Sequence, residues 1–152
     1  MISVKFSGPE NDADFNEAIG DFVSSIIYGE PKRIANYCSM AVVDDGAVIA
    51  GVLYNNYYPK QGVIEMHAGS LSKRWLTRLV LRSMFSHAFD TFKCQLCVLR
   101  VSEHNKPMLR IAKSYGFNEY VIPRLRGRDE AEHVLTLADD DWRANRFNKG
   151  MI

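Results

Sequence analysis

Several features are scarce in this sequence of 152 residues, and each scarcity removes a class of protein. No apolar run approaches the roughly 20 residues that a membrane-spanning helix needs. The start, Met1-Ile2-Ser3-Val4-Lys5, lacks the apolar core of a signal peptide. A cytoplasmic protein without a membrane partner is therefore expected. Cysteine is limited to Cys38, Cys94 and Cys97, an odd count that makes no disulfide framework, so free thiols are expected. Cys94 and Cys97 form a C-x-x-C inside the apolar run Cys94-Gln95-Leu96-Cys97-Val98-Leu99. Strand alternation there sends the two sulfurs to opposite faces, and the second ligand pair that zinc would want is missing. Excess charge is also absent: 19 Lys and Arg against 18 Asp and Glu leave +1, no basis for a general attraction to nucleic acid. Internal repeats, low-complexity stretches and long linkers are lacking, so one domain over 1–152 is expected. At 47% hydrophobic and 24% charged, its composition is that of an ordinary globular protein.

What is present divides into strand and helix patterns. Ile2-Ser3-Val4-Lys5-Phe6 alternates as a half-buried strand does. Asn11 or Asp12 is placed to cap a helix with Phe15, Ala18, Ile19, Phe22, Val23, Ile26 and Ile27 on one stripe, ended by Gly29 and Pro31. Residues 40–43 and 47–54 are apolar runs joined by Asp44-Asp45-Gly46, a hairpin signal. The polar and aromatic segment 55–62 reads as a connection whose asparagines and tyrosines are candidates for lining a pocket. Near the end, 120–125 and 133–137 form a second hairpin pattern around Arg126-Gly127-Arg128-Asp129. Asp139, Asp140 and Asp141 are adjacent in sequence and do not converge on an ion without a shaped loop, so no metal is expected.

The stretch from Glu65 to Phe117 carries the chemistry. It reads as a strand (62–68), a polar loop (69–74), a long amphipathic helix (75–91), an apolar strand (94–101) and a helix (106–114) stopped by Tyr115-Gly116-Phe117. In the first strand Val63, Glu65 and His67 share one face, and Ile64, Met66 and Ala68 the other. A carboxylate and an imidazole thus stand beside a loop that opens a helix. A helix start presents unpaired N–H groups and the positive end of the macrodipole, a setting for phosphate or pyrophosphate. Lys73, Arg74, Arg78 and Arg82 crowd that end, where cations are unfavourable unless an anion binds.

This order of elements, with Asn105 followed twelve residues later by the closing Gly116-Phe117, resembles the GCN5-related N-acetyltransferase (GNAT) superfamily. The likeness runs from the opening strand to Trp142 and is greatest to the phage and proteobacterial branch, with its Arg-Trp-Leu-Thr-Arg at the start of the long helix. The resemblance implies an α+β fold: a mixed, mainly antiparallel twisted sheet flanked by helices. It implies acetyl-CoA as acyl donor, without a metal, and an amine acceptor, small or on a protein. It places CoA on Ser72, Lys73, Arg74, Trp75, Leu76, Thr77 and Arg78, with Asn105 contributing and a backbone N–H near Met66 polarising the thioester carbonyl. Two departures stand out. The loop glycines of the family fall here on Trp75 and Thr77, and the tyrosine that many members use as general acid is Ala112. Because the contact is through backbone N–H groups, side chains at the loop are tolerable where they point away.

Acetyl transfer needs a neutral amine, so a base must take its proton, and Glu65 is the first candidate with His67 the second. Two other classes stay open. One is a non-catalytic GNAT-like binding protein that keeps the fold while losing productive CoA binding, which the missing loop glycines favour; the other is a nucleic-acid module using Lys73, Arg74, Arg78, Arg124, Arg126 and Arg128, which the charge balance disfavours. The acceptor and the oligomeric state, a homodimer included, are not fixed by the sequence.

Overall fold

The protein is described by a computed structural model covering residues 1–8 and 13–148. Among the described residues seven strands form one mixed, mainly antiparallel sheet in the order β1-β2-β3-β4-β5-β7-β6, with four α-helices. The chain forms two compact units, Met1–Tyr57 with Met66–His87 and Tyr58–Glu65 with Ala88–Ile152, and the division falls inside β4. The cap expected at Asn11 or Asp12 lies outside the described residues. Among the described residues no helix is long and apolar enough to cross a membrane.

In the first unit β1 (Ile2–Phe6) pairs antiparallel with β2 (Cys38–Asp44), which turns into β3 (Ala47–Tyr58). The hairpin forms where Asp45 and Gly46 both take positive φ, 50° and 83°, the geometry whose twist suits a two-residue turn. Helix α1 (Ala13–Tyr28) lays Ile19 and Val23 onto Ala41 and Leu53, with Phe15, Phe22 and Tyr37 around them. Glycine allows this closeness: a Cβ on Gly51 of β3 would stand 2.8 Å from a Val23 methyl. β4 (Val63–Ser70) follows, and then α2 (Arg78–Ser86).

Two boundaries differ from those expected. β3 continues through 55–58, read above as a connection, because tyrosine favours the extended backbone and an irregularity at Asn56, φ 47°, lets the strand bend without ending. The helix expected over 75–91 begins only at Arg78 and passes into a π-helical turn at His87–Thr91. Thr77 sets that start: its Oγ1 accepts the Val80 N–H at 3.2 Å, and a cap outweighs the helical spacing of Trp75 and Leu76. Leu79 faces solvent, whereas Val80, Met84 and Phe85 are buried. The Tyr54 hydroxyl donates to the Met84 carbonyl at 2.8 Å.

In the second unit β5 (Leu96–Ser102), β7 (Glu132–Ala138) and β6 (Asn118–Ile122) pair antiparallel, Leu99 opposite Leu135 and Tyr120 opposite Val134. Cys94 falls just before β5, outside the strand expected to hold it, and Cys97 within it; both are buried thiols whose pKa burial raises. Helix α3 (Lys106–Tyr115) ends at Gly116, whose φ of 121° few other residues adopt. Helix α4 (Asp139–Arg143) buries Trp142, whose indole N–H donates to the Tyr115 hydroxyl at 3.1 Å. The acidic run 139–141 forms the first turn of α4, where negative charge meets the positive end of the helix.

One carboxylate of this unit gives stability a pH dependence. Glu119 Oε2 lies 2.7 Å from His133 Nδ1, and that bond, reinforced by Lys113, holds its pKa below the usual carboxylate range. The unfolded chain takes the proton more readily, so the stabilisation is full at neutral pH and lost as pH falls through the folded pKa. Urea midpoints at neutral pH and near pH 3 are expected to differ less in Glu119→Gln than in the wild type.

Candidate functional site

β4 realises the alternation expected of it. Ile64 and Met66 are buried, and the intervening Glu65 and His67 are half-buried on the other face. His67 is held by a partner on β3, its Nε2 standing 2.8 Å from Asn55 Oδ1. A carbonyl oxygen accepts, so Nε2 carries the proton and the basic lone pair belongs to Nδ1. Asn55 went unrecognised as a partner because its segment read as a connection; once β3 is extended, an asparagine facing the neighbouring strand is the signal.

The segment after β4 is shaped by hydroxyl groups. The Leu71 N–H donates to the Ile49 carbonyl at 2.9 Å. Ser70 Oγ donates to the Ser72 carbonyl at 2.5 Å and accepts the Ser72 N–H at 3.0 Å. Ser72 Oγ accepts the Arg74 N–H at 3.1 Å, and the Thr77 N–H donates to the Trp75 carbonyl at 3.0 Å. The Thr77 amide expected to meet an anion is thus engaged within the loop, and the amides that lead the helix are those of Arg78 and Leu79. No residue from 71 to 77 has positive φ, so the path needs no glycine. Trp75, in a place the family gives to glycine, buries its indole at 7% exposure. Leu76 is half-buried, Lys73, Arg74 and Arg78 are exposed, and α2 has no acidic residue in its first turn.

His67, Met66 and the loop from Ser72 to Arg78 belong to the first unit; Glu65 and Asn105 belong to the second. Asn105 caps α3, its Oδ1 accepting the Met108 N–H at 3.4 Å. Ala112 is buried and has no proton to give, and the Tyr115 hydroxyl accepts the Trp142 indole N–H. Among the described residues no group of three His, Cys, Asp or Glu side chains is placed to hold a metal ion.

No protein-family model matches the sequence, and no curated protein does. Solved structures do match. The spermidine N-acetyltransferase of Vibrio cholerae in complex with CoA and spermine superposes with a TM-score of 0.71 at 12% identity, over 93% of this chain and 98% of that one. The same enzyme, SpeG, in complex with manganese ions gives 0.69 at 13% identity over 94% and 95%. A proposed phosphinothricin N-acetyltransferase gives 0.65 at 14% identity over 91% and 98%. The fold is that of the GNAT acetyltransferases.

If Thr77 sets the helix start, Thr77→Ala is expected to lower stability by about 1 kcal/mol through loss of the cap. Chemical denaturation measures it, and an unchanged midpoint would remove the cap from the account.

Proposed function

We propose that the chain acts as a single domain in the cytoplasm, transferring an acetyl group from acetyl-CoA to an amine. The observation that carries this reading is the segment between β4 and α2. Its own hydroxyl groups fix its path, Trp75 turns into the core, and a helix start with exposed Lys73, Arg74 and Arg78 is left without an acid. Those features suit a pyrophosphate held by backbone amides and flanking cations. The CoA and spermine bound by the Vibrio cholerae enzyme are consistent with the same donor and with an amine acceptor, small or on a protein.

Acetyl-CoA, when bound, supplies an acyl group already activated as a thioester. The chain's part is binding and proton handling. The amides of Arg78 and Leu79, with Ser72, Lys73, Arg74, Trp75, Leu76 and Thr77 shaping the loop before them, hold the pyrophosphate. Glu65 takes the amine proton, directly or through water, with His67 as the second candidate, oriented by Asn55; the amine nitrogen bonds to the acyl carbon, the C–S bond breaks, and the thiolate leaves to be protonated by water. Met66 is buried, and the part proposed near it is that of a backbone N–H polarising the thioester carbonyl, as the resemblance implies. Ala112 favours a second reading, a GNAT-fold protein that binds CoA without turnover, because no tyrosine hydroxyl serves the leaving thiolate there.

Calorimetry with acetyl-CoA tests the donor site. Arg78→Pro removes the first helical amide at a position where proline is tolerated, and Arg78→Ala removes only the guanidinium. Binding is expected to be lost in the proline variant and merely weakened in the alanine variant; a folded proline variant that binds like wild type places the cradle elsewhere.

The base is tested separately. Glu65→Gln is expected to keep acetyl-CoA affinity and lower turnover by roughly 100-fold. His67→Ala is the comparison, and the acidic limb of the pH–rate profile shows which group controls proton removal. Full turnover in Glu65→Gln across that range reduces Glu65 to a structural residue.

A further inference from the structure

The second unit contains a cleft of about 430 Å³ where the end of α3 meets the turn at 145–148, and Ser114, Tyr115, Leu137, Asp141, Arg146 and Phe147 line it. None of these residues belongs to the proposed donor loop or to the pair proposed to handle the proton. Bonds to α3 fix one wall. Asn145 Nδ2 donates to the Tyr115 carbonyl and its Oδ1 accepts the Phe147 N–H at 2.7 Å, which fastens the turn to the helix end. The Phe147 ring then stacks on Tyr115 with centroids 5.3 Å apart, and the Arg146 guanidinium lies 4.9 Å from the centre of the Phe147 ring. A guanidinium already packed on an aromatic face has less freedom to lose when it meets a carboxylate.

Charge of both signs lines the cleft and is not neutralised within it. Among the described residues neither the Asp141 carboxylate nor the Arg146 guanidinium makes a hydrogen bond or an ion pair, with the other or with a third group. A lone anion would meet Arg146 and leave Asp141 unmatched, and a lone cation the reverse. A molecule carrying a free ammonium and a free carboxylate satisfies both.

We propose that this cleft binds a small zwitterion of dipeptide size with apolar side chains, its ammonium on Asp141 and its carboxylate on Arg146. The volume lies in the range of small-molecule sites, roughly 300–1,000 Å³. A guanidinium meets a carboxylate in a two-bonded fork, which orients the ligand as well as holding it. Leu137, Tyr115 and Phe147 offer apolar surface to the side chains. The site is independent of acetyl transfer, so the calorimetry with acetyl-CoA can fail without touching it.

Titration of the full chain with the dipeptide leucyl-leucine, followed by calorimetry and by NMR shift changes, tests this. Binding is expected with Kd of about 1 mM or tighter, with shifts centred on 114–118 and 141–147. N-acetyl-leucyl-leucine lacks the ammonium and leucyl-leucinamide lacks the carboxylate; each is expected to bind about tenfold more weakly. Asp141→Asn is expected to weaken leucyl-leucine about tenfold while leaving the N-acetyl form unchanged, and Arg146→Gln to do the same with the amide form, a cycle between protein and ligand groups. Circular dichroism checks that the variants are folded, and the comparison of three ligands on the wild type stands without them. Failure of leucyl-leucine to bind overturns the proposal, as do equal affinities for the three ligands, shifts centred elsewhere, or folded variants that weaken all three alike.

Discussion

The hydroxyl-to-amide bonds between Ser70 and Thr77 decide where β4 ends and α2 begins, and the placement of the proposed anion site depends on them. Ser70 turns the chain out of the sheet, Ser72 holds the next turn, and Thr77 closes the segment by capping the helix. Each bond alone contributes on the order of 1 kcal/mol, but together they satisfy polar backbone that neither a strand nor a helix serves. A loop held in this way keeps its shape before a ligand arrives, so little ordering remains to oppose binding.

Periodicity made most of the architecture legible, and cap chemistry accounts for most of what was missed. The alternation in Ile2-Ser3-Val4-Lys5-Phe6, the turn at Asp45-Gly46, the stripe of α1 and the stop at Gly116 each follow from a backbone preference expressed over a few residues. The start of α2 does not, because Trp75 and Leu76 fit helical spacing, and only the Thr77 hydroxyl places the boundary after them. The far end of β3 was hidden for the opposite reason. Asn55 and Asn56 are poor strand formers, and what they add is a contact to His67 and a bend, neither of which has a period.

The same limit applies to the polar side chains of the second unit. Asn105 reads as a ligand by family likeness, and the structure shows its side-chain oxygen capping α3. Tyr115 reads as an apolar residue before a glycine, and its hydroxyl in fact satisfies the one polar atom of a buried tryptophan. A buried indole N–H without an acceptor would be costly, so the pairing explains a tyrosine where a phenylalanine would fill similar space.

Glycine in a phosphate loop does two separate things: it permits positive φ, and it lets the ligand approach the backbone closely. The loop here has no positive-φ residue, which makes the first unnecessary, and the burial of Trp75 achieves the second by sending the side chain away from the solvent face. The two places that the resemblance gives to glycine are held by residues that stabilise the loop, Trp75 through apolar burial and Thr77 through a cap. The consequence is a stiffer strand–loop–helix whose leading amides are shifted to Arg78 and Leu79. In the proposed site an anion would meet those amides together with the Arg78 guanidinium, so that charge and backbone donors would act at a single residue.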